Sequence, residues 1–63
     1  MIASEIKPRR LELNIFQKDL AKAAGCSRKT IVELETGKSQ GSDLVLHRID
    51  KALTKLESDH GSR

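Results

Sequence analysis

The sequence predicts an all-α fold: a bundle of four to five short helices built around a central pair joined by a tight turn. Three observations carry that prediction. Leu20, Ala21 and Ala24, and then Ile31 and Leu34, recur at the spacings of one helical face in two neighbouring segments. Between them stand Gly25, free to take the positive φ with which a helix closes, and Ser27, whose hydroxyl can cap the helix that follows. Further on, Leu46, Ile49, Leu53 and Leu56 recur three, four and three residues apart, a longer amphipathic stripe.

Taken in order, residues 2–13 read as the first helix, with Ile2, Ile6 and Leu13 at near-helical spacing and Arg9 or Arg10 between them. Pro8 is discordant, because it has no amide proton and fits only a first turn. Either the regular helix begins near Lys7 or an earlier turn is distorted. Asn14 is, after glycine, the residue best suited to a left-handed closing position. Ile15 is expected between this helix and the central pair. Phe16 stands where the second helix begins and cannot cap it, a loss of about 1 kcal/mol. Asp19 offsets part of that through the helix dipole. Phe16 itself either packs on the surface or faces a partner. Gly37 ends the third helix, and Lys38 to Gly41 form a polar loop. Ser42 caps the last helix with Asp43 in its first turn. No Gly or Pro interrupts that helix between Ser42 and Gly61, so it runs from Asp43 to about Glu57, widened by Val45 and Ala52. Residues 1–57 thus make one domain, and 58–63 read as a disordered tail.

Composition narrows the function. Sixty-three residues bury a thin core, so a dimer or a partner is a fair expectation. No apolar run approaches membrane-spanning length, and no apolar stretch follows the basic residues near the N-terminus as a secretory signal requires. A lone cysteine, Cys26, excludes an intrachain disulfide framework and fits a reducing cytoplasm. The net charge of +3 and the pI near 9.4 are enough to leave one face basic. Phe16 is the single aromatic residue, so no platform exists for stacking bases. That weighs against single strands and RNA and for a helix seated in a duplex groove. The outward face of residues 28–36 suits such docking: Ser27, Arg28, Lys29, Val32, Glu33 and Thr36 are polar and partly cationic behind an apolar back.

The pattern Gln-x-x-Leu-Ala-x-x-Ala-Gly-x-Ser-x-x-Thr-Ile-x-x-Leu-Glu-x-Gly resembles the Cro and lambda-repressor-like helix-turn-helix family, also called the XRE family. It is carried by Gln17, Leu20, Ala21, Ala24, Gly25, Ser27, Thr30, Ile31, Leu34, Glu35 and Gly37. With its flanks the resemblance covers about residues 2–54. Two departures stand out: Asn14 replaces the usual glycine, and Phe16 replaces the usual Ser or Thr cap.

The resemblance implies a lambda-repressor-like bundle with a central helix-turn-helix and roles for particular residues. Gln17 would meet the DNA backbone and steady a side chain of the recognition helix, with the amides of its helix start at a phosphate. Ser27, Arg28, Lys29 and Glu33 match groove-facing positions. Arg28 or Lys29 can pair with guanine O6 and N7, arginine with the better geometry. Val32 can touch a thymine methyl, and Glu33 either accepts from cytosine N4 or is a gatekeeper or a bystander. Lys38 and Ser39 would meet phosphate, or Lys38 is a solvated loop residue. Arg10 and Glu35 match a partly buried ion pair of the family that locks the first helix onto the recognition helix. Thr30, Ile31 and Leu34 belong to the core.

These features point to sequence-specific binding of double-stranded DNA by a transcriptional regulator, most simply a repressor. One short helix reads a half-site weakly, so a homodimer on a pseudo-palindromic operator is expected. The alternative is an antitoxin that holds a toxin protein while repressing its own operon, with Leu46, Leu53, Leu56 and Phe16 as contact surfaces. An enzyme is rejected, since no nucleophile–base pair, metal cluster or phosphate-binding glycine loop is present. No cofactor is expected, and His47, His60 and Cys26 have no metal-ligand spacing. Cys26 reads as a structural thiol; Arg28 and Lys29 nearby leave a redox-sensing role open. The expected location is the cytoplasm of a bacterium, or of a phage's host, on the nucleoid when bound.

Overall fold

The computed structural model describes residues 1–61, and every regular element among them is helical. A single 3-10 turn, Ala3–Glu5, leads into α1 (Ile6–Glu12); α2 (Gln17–Ala24), α3 (Arg28–Thr36) and α4 (Asp43–Gly61) follow. The distorted start resolves the conflict at Pro8. Pro8 is the third residue of α1, inside the first turn, where amides have no intrahelical acceptor. Ile2 does not join the apolar face. It precedes the regular helix and is 61% exposed, so the apparent Ile2–Ile6 spacing is not one helical turn.

Each helix is closed by the residue the backbone requires. Asn14 sits at φ 58°, and the amides of Asn14 and Ile15 bond back to the carbonyls of Leu11 and Arg10, a Schellman closure without glycine. Gly25, at φ 73°, does the same for α2: the Gly25 and Cys26 amides reach the carbonyls of Lys22 and Ala21. Ser42 caps α4 by accepting from the Val45 amide at 3.2 Å.

Ile6, Leu20, Ile31, Leu34, Ile49 and Leu53 are almost wholly buried, and Leu13, Ala21, Ala24 and Ala52 complete the core. α4 lies across α2 and α1, and α3 packs on α2. Full burial of one such aliphatic side chain contributes about 1.5–3 kcal/mol, so a few residues hold this small domain together. Ile15, expected inside, is half-buried against that core. Leu53 is fully buried, and Leu46 and Leu56 are half-buried against the core. Leu53 therefore serves the fold and offers no partner surface, while Leu46 and Leu56 serve the core with part of their surface.

α4 is one continuous helix and passes the expected end at Glu57, reaching Gly61. Residues 58–61, expected as part of a disordered tail, continue this helix; 62 and 63 lie outside the described residues. No helix among the described residues is long and apolar enough to cross a membrane.

Gly41 has a role that the sequence did not signal. It stands at φ 71° in the loop before α4, and a Cβ there would come within 2.8 Å of Leu34 Cδ2. Left-handed backbone alone costs a residue with a Cβ about 1–2 kcal/mol. Gly41→Ala is accordingly expected to destabilise the domain by about 1–3 kcal/mol. Thermal melts of both proteins check this, and equal midpoints would show that loop and Leu34 yield freely.

Candidate nucleic-acid interface

Ser27 sets the start of α3. Its Oγ accepts from the Thr30 amide at 3.2 Å and lies 2.9 Å from Thr30 Oγ1. With Gly25 closing α2 two residues earlier, the turn between the helices is only three residues long. Ile31 and Leu34 face inward, which turns Arg28, Lys29, Val32 and Glu33 outward along the other side of α3.

Arg28 and Lys29 are exposed, and Val32 and Glu33 are half-buried. Arg28, Lys29 and Val32 line one shallow groove along α3. Arg28 also borders a broader cleft over the start of α2, lined with Lys7, Arg10, Phe16, Gln17 and Lys18. The geometry thus brings Gln17, Arg28, Lys29 and Val32 onto one continuous surface. Lys38 and Ser39 stand apart, beyond the other end of α3. Lys38 is exposed; Ser39 Oγ accepts from the Gly41 amide at 3.1 Å, so part of its bonding capacity serves the loop.

Behind this surface lies the ion pair of Arg10 and Glu35. Arg10 Nε donates to Glu35 Oε2 at 2.7 Å and Nη2 to Oε1 at 3.1 Å, a bidentate fork. Arg10 Nη1 donates to the Ile15 carbonyl at 2.9 Å, and Gln17 Nε2 donates to Glu35 Oε1 at 3.0 Å. The two side chains are 9% and 2% exposed. Burial pushes the Glu35 carboxyl up, but the hydrogen bonds from Arg10 and Gln17 outweigh it and hold the group below its ordinary range. One carboxylate therefore fixes α1, the loop after it, the start of α2 and the end of α3. The recognition-helix side chain that Gln17 steadies is Glu35, so its amide group is turned inward.

Phe16 is 71% exposed and leaves the α2 start without a side-chain acceptor. The reverse bond is present: Asp19 Oδ2 accepts from the Phe16 amide at 3.0 Å, half of a capping box. Asp19 thus acts through a direct bond as well as through the dipole.

Sequence reasoning missed three cations. Lys7 and Lys18 border the α2 cleft; only the folded chain brings Lys7 near the start of α2. Arg9, to which the sequence assigns no partner, turns to α4. Its guanidinium meets Asp50 at 2.6 Å and Glu57 at 2.7 Å, with Thr54 Oγ1 at 3.4 Å. Asp50, Thr54 and Glu57 share one helical face, four and three residues apart, and that spacing was the available signal. Hydrogen bonds from Arg9 hold both carboxyls below their usual range. Burial raises the Cys26 thiol pKa, and the cation acting against that rise is Arg48. Arg28 and Lys29 do not activate it, which removes the basis for a redox role.

A helix-turn-helix family model matches residues 6–59. A protein of Methanothermobacter thermautotrophicus (strain Delta H), described as an uncharacterized HTH-type transcriptional regulator, is 42% identical over 48 residues. The match spans 76% of this chain and 70% of that protein. No solved structure matches.

Proposed function

Because the chain belongs to the helix-turn-helix family, a family of DNA-binding regulators of transcription rather than of enzymes, we propose that it is a sequence-specific repressor acting as a homodimer on a pseudo-palindromic operator. α3 enters the major groove. Arg28 and Lys29 face guanine edges, Val32 touches a thymine methyl, and Glu33 guards its base step. The start of α2 rests on the phosphate backbone, where Gln17 contributes its backbone amide and Lys7 and Lys18 add charge. Lys38 and Ser39 meet phosphate at the far end of α3. Arg10 and Glu35 touch no DNA; they hold α2 and α3 at a fixed angle so that backbone and base contacts form together.

The observation that carries this reading is the continuous surface on which Arg28 joins the α3 groove to the cationic cleft over α2. Repression follows from occupancy of an operator by the nine-residue α3. The dimer is inferred from the weakness of one short helix on one half-site.

Selection of tight binders from a randomised duplex pool tests the proposal. Recovered sites should be two inverted half-sites about 10 base pairs apart, centre to centre. Log affinity should fall with log salt at a slope of about −0.9 for each phosphate neutralised. Recovery of unrelated sequences with no inverted symmetry would overturn the reading.

A further inference from the structure

α4 carries a second charged surface that the DNA reading leaves unused. Leu44, Arg48, Lys51 and Lys55 lie four, seven and eleven residues along one face of α4, and all four are exposed. Leu44 alone is 60% exposed. Arg48, Lys51 and Lys55 rim a shallow groove whose floor is Ala23, Ala24, Gly25 and Ala52. The ion pairs among the described residues join Arg9 to Asp50 and Glu57 and Arg10 to Glu35, so none engages these three cations. Arg9 holds Asp50 and Glu57 on its side of α4, and Asp50 and Asp59 border the cationic face beside Lys51 and Lys55.

We propose that this face docks an acidic, amphipathic segment of a partner protein. Its carboxylates would meet Arg48, Lys51 and Lys55, and its aliphatic side chains would cover Leu44 and the alanine floor. Charge complementarity names the acidic partner. The floor argues against a nucleic-acid backbone, which is held by amides and hydroxyls as well as cations. Here the Gly25 and Cys26 amides are already bonded to the Lys22 and Ala21 carbonyls, so the groove offers no free amide there to a phosphate. A second copy of the chain fits no better. Two-fold pairing through this face would set like cations against each other.

The test titrates the full chain, labelled with ¹⁵N, with a synthetic peptide of glutamate and leucine at helical spacing. Amide shifts are expected at residues 23–25 and along residues 44–55. Arg48→Glu with Lys51→Glu should weaken binding about tenfold or more, and Leu44→Ser severalfold. Should the double variant fail to melt like the parent, Lys51→Gln gives the same readout with a smaller loss. Arg28→Ala should leave peptide affinity unchanged, which separates this site from the DNA-reading surface. Three results would overturn the proposal. Shifts could spread over other elements, or leucine-free polyglutamate could bind as tightly. A random DNA duplex could also shift the same amides at lower concentration than the peptide does.

Discussion

Glu35→Ala should lower the melting temperature by roughly 12–40 °C and remove most of the stability of the domain. The reason lies in what the substitution strands. Arg10, 8% exposed, would lose both carboxylate bonds while keeping only the Ile15 carbonyl at 2.9 Å. Removing one partner of a buried pair costs about 3–5 kcal/mol, because the remaining charge stays desolvated. A domain of this size holds in total only about 3–9 kcal/mol. Glu35→Gln should be milder, since a carboxamide oxygen still accepts from Arg10. Arg10→Ala should be as severe at neutral pH and less severe in acid, where the stranded carboxyl can take up a proton. Circular dichroism melts over a pH series measure all three. Midpoints within two or three degrees of the parent would mean that the pair is solvated in the working state. Arg9 supplies the control: it bridges to half-exposed carboxylates, and Arg9→Ala should cost far less than Arg10→Ala.

The same network sets the acid limit of the fold. The carboxyls of Glu35, Asp50 and Glu57 all lie below their ordinary values when the chain is folded. Such groups bind protons more readily in the unfolded chain, so their contribution is fully present above the unfolded values of about 4. It is lost as pH falls through the folded values. Stability should therefore fall as pH drops below about 4, and Glu35→Gln should flatten that fall.

Much of this was legible because the informative residues are local. Asn14, Gly25, Ser27 and Ser42 announce helix ends through their own backbone or hydroxyl chemistry, within a few residues of the effect. The Arg10–Glu35 pair was legible for another reason: resemblance supplied a long-range contact that spacing alone could not. What escaped depended on how helices pack. That Arg9 turns to Asp50 and Glu57 of α4 rested on how α1 and α4 pack. Leu53 could have served a core or a partner, and only the crossing of α4 over α2 and α1 decides for the core. Gly41 matters through Leu34, seven residues earlier, by a contact that no turn signal encodes.

Arg28→Ala combined with Lys29→Ala should reduce operator affinity about a hundredfold or more while leaving the melting temperature unchanged. Both side chains are exposed and neither takes part in an ion pair among the described residues, so the fold loses nothing with them. Their separate effects should differ in kind. Arg28 borders both the α3 groove and the cleft over α2, whereas Lys29 borders the α3 groove alone, beside Val32. Loss of a base contact costs about 1–3 kcal/mol and relaxes preference at one position; loss of a phosphate contact flattens the salt slope by about 1. Lys29→Ala should therefore relax one base position with little change in slope. Arg28→Ala should do both, because its guanidinium lies where the backbone and base surfaces meet. Binding of each variant to the selected operator and to its single-base variants, over a range of salt, separates the two signatures. Normal affinity in the double variant would place the reading surface elsewhere on the molecule. A loss of affinity identical for all sequences would make α3 a backbone-binding element and move recognition to DNA shape.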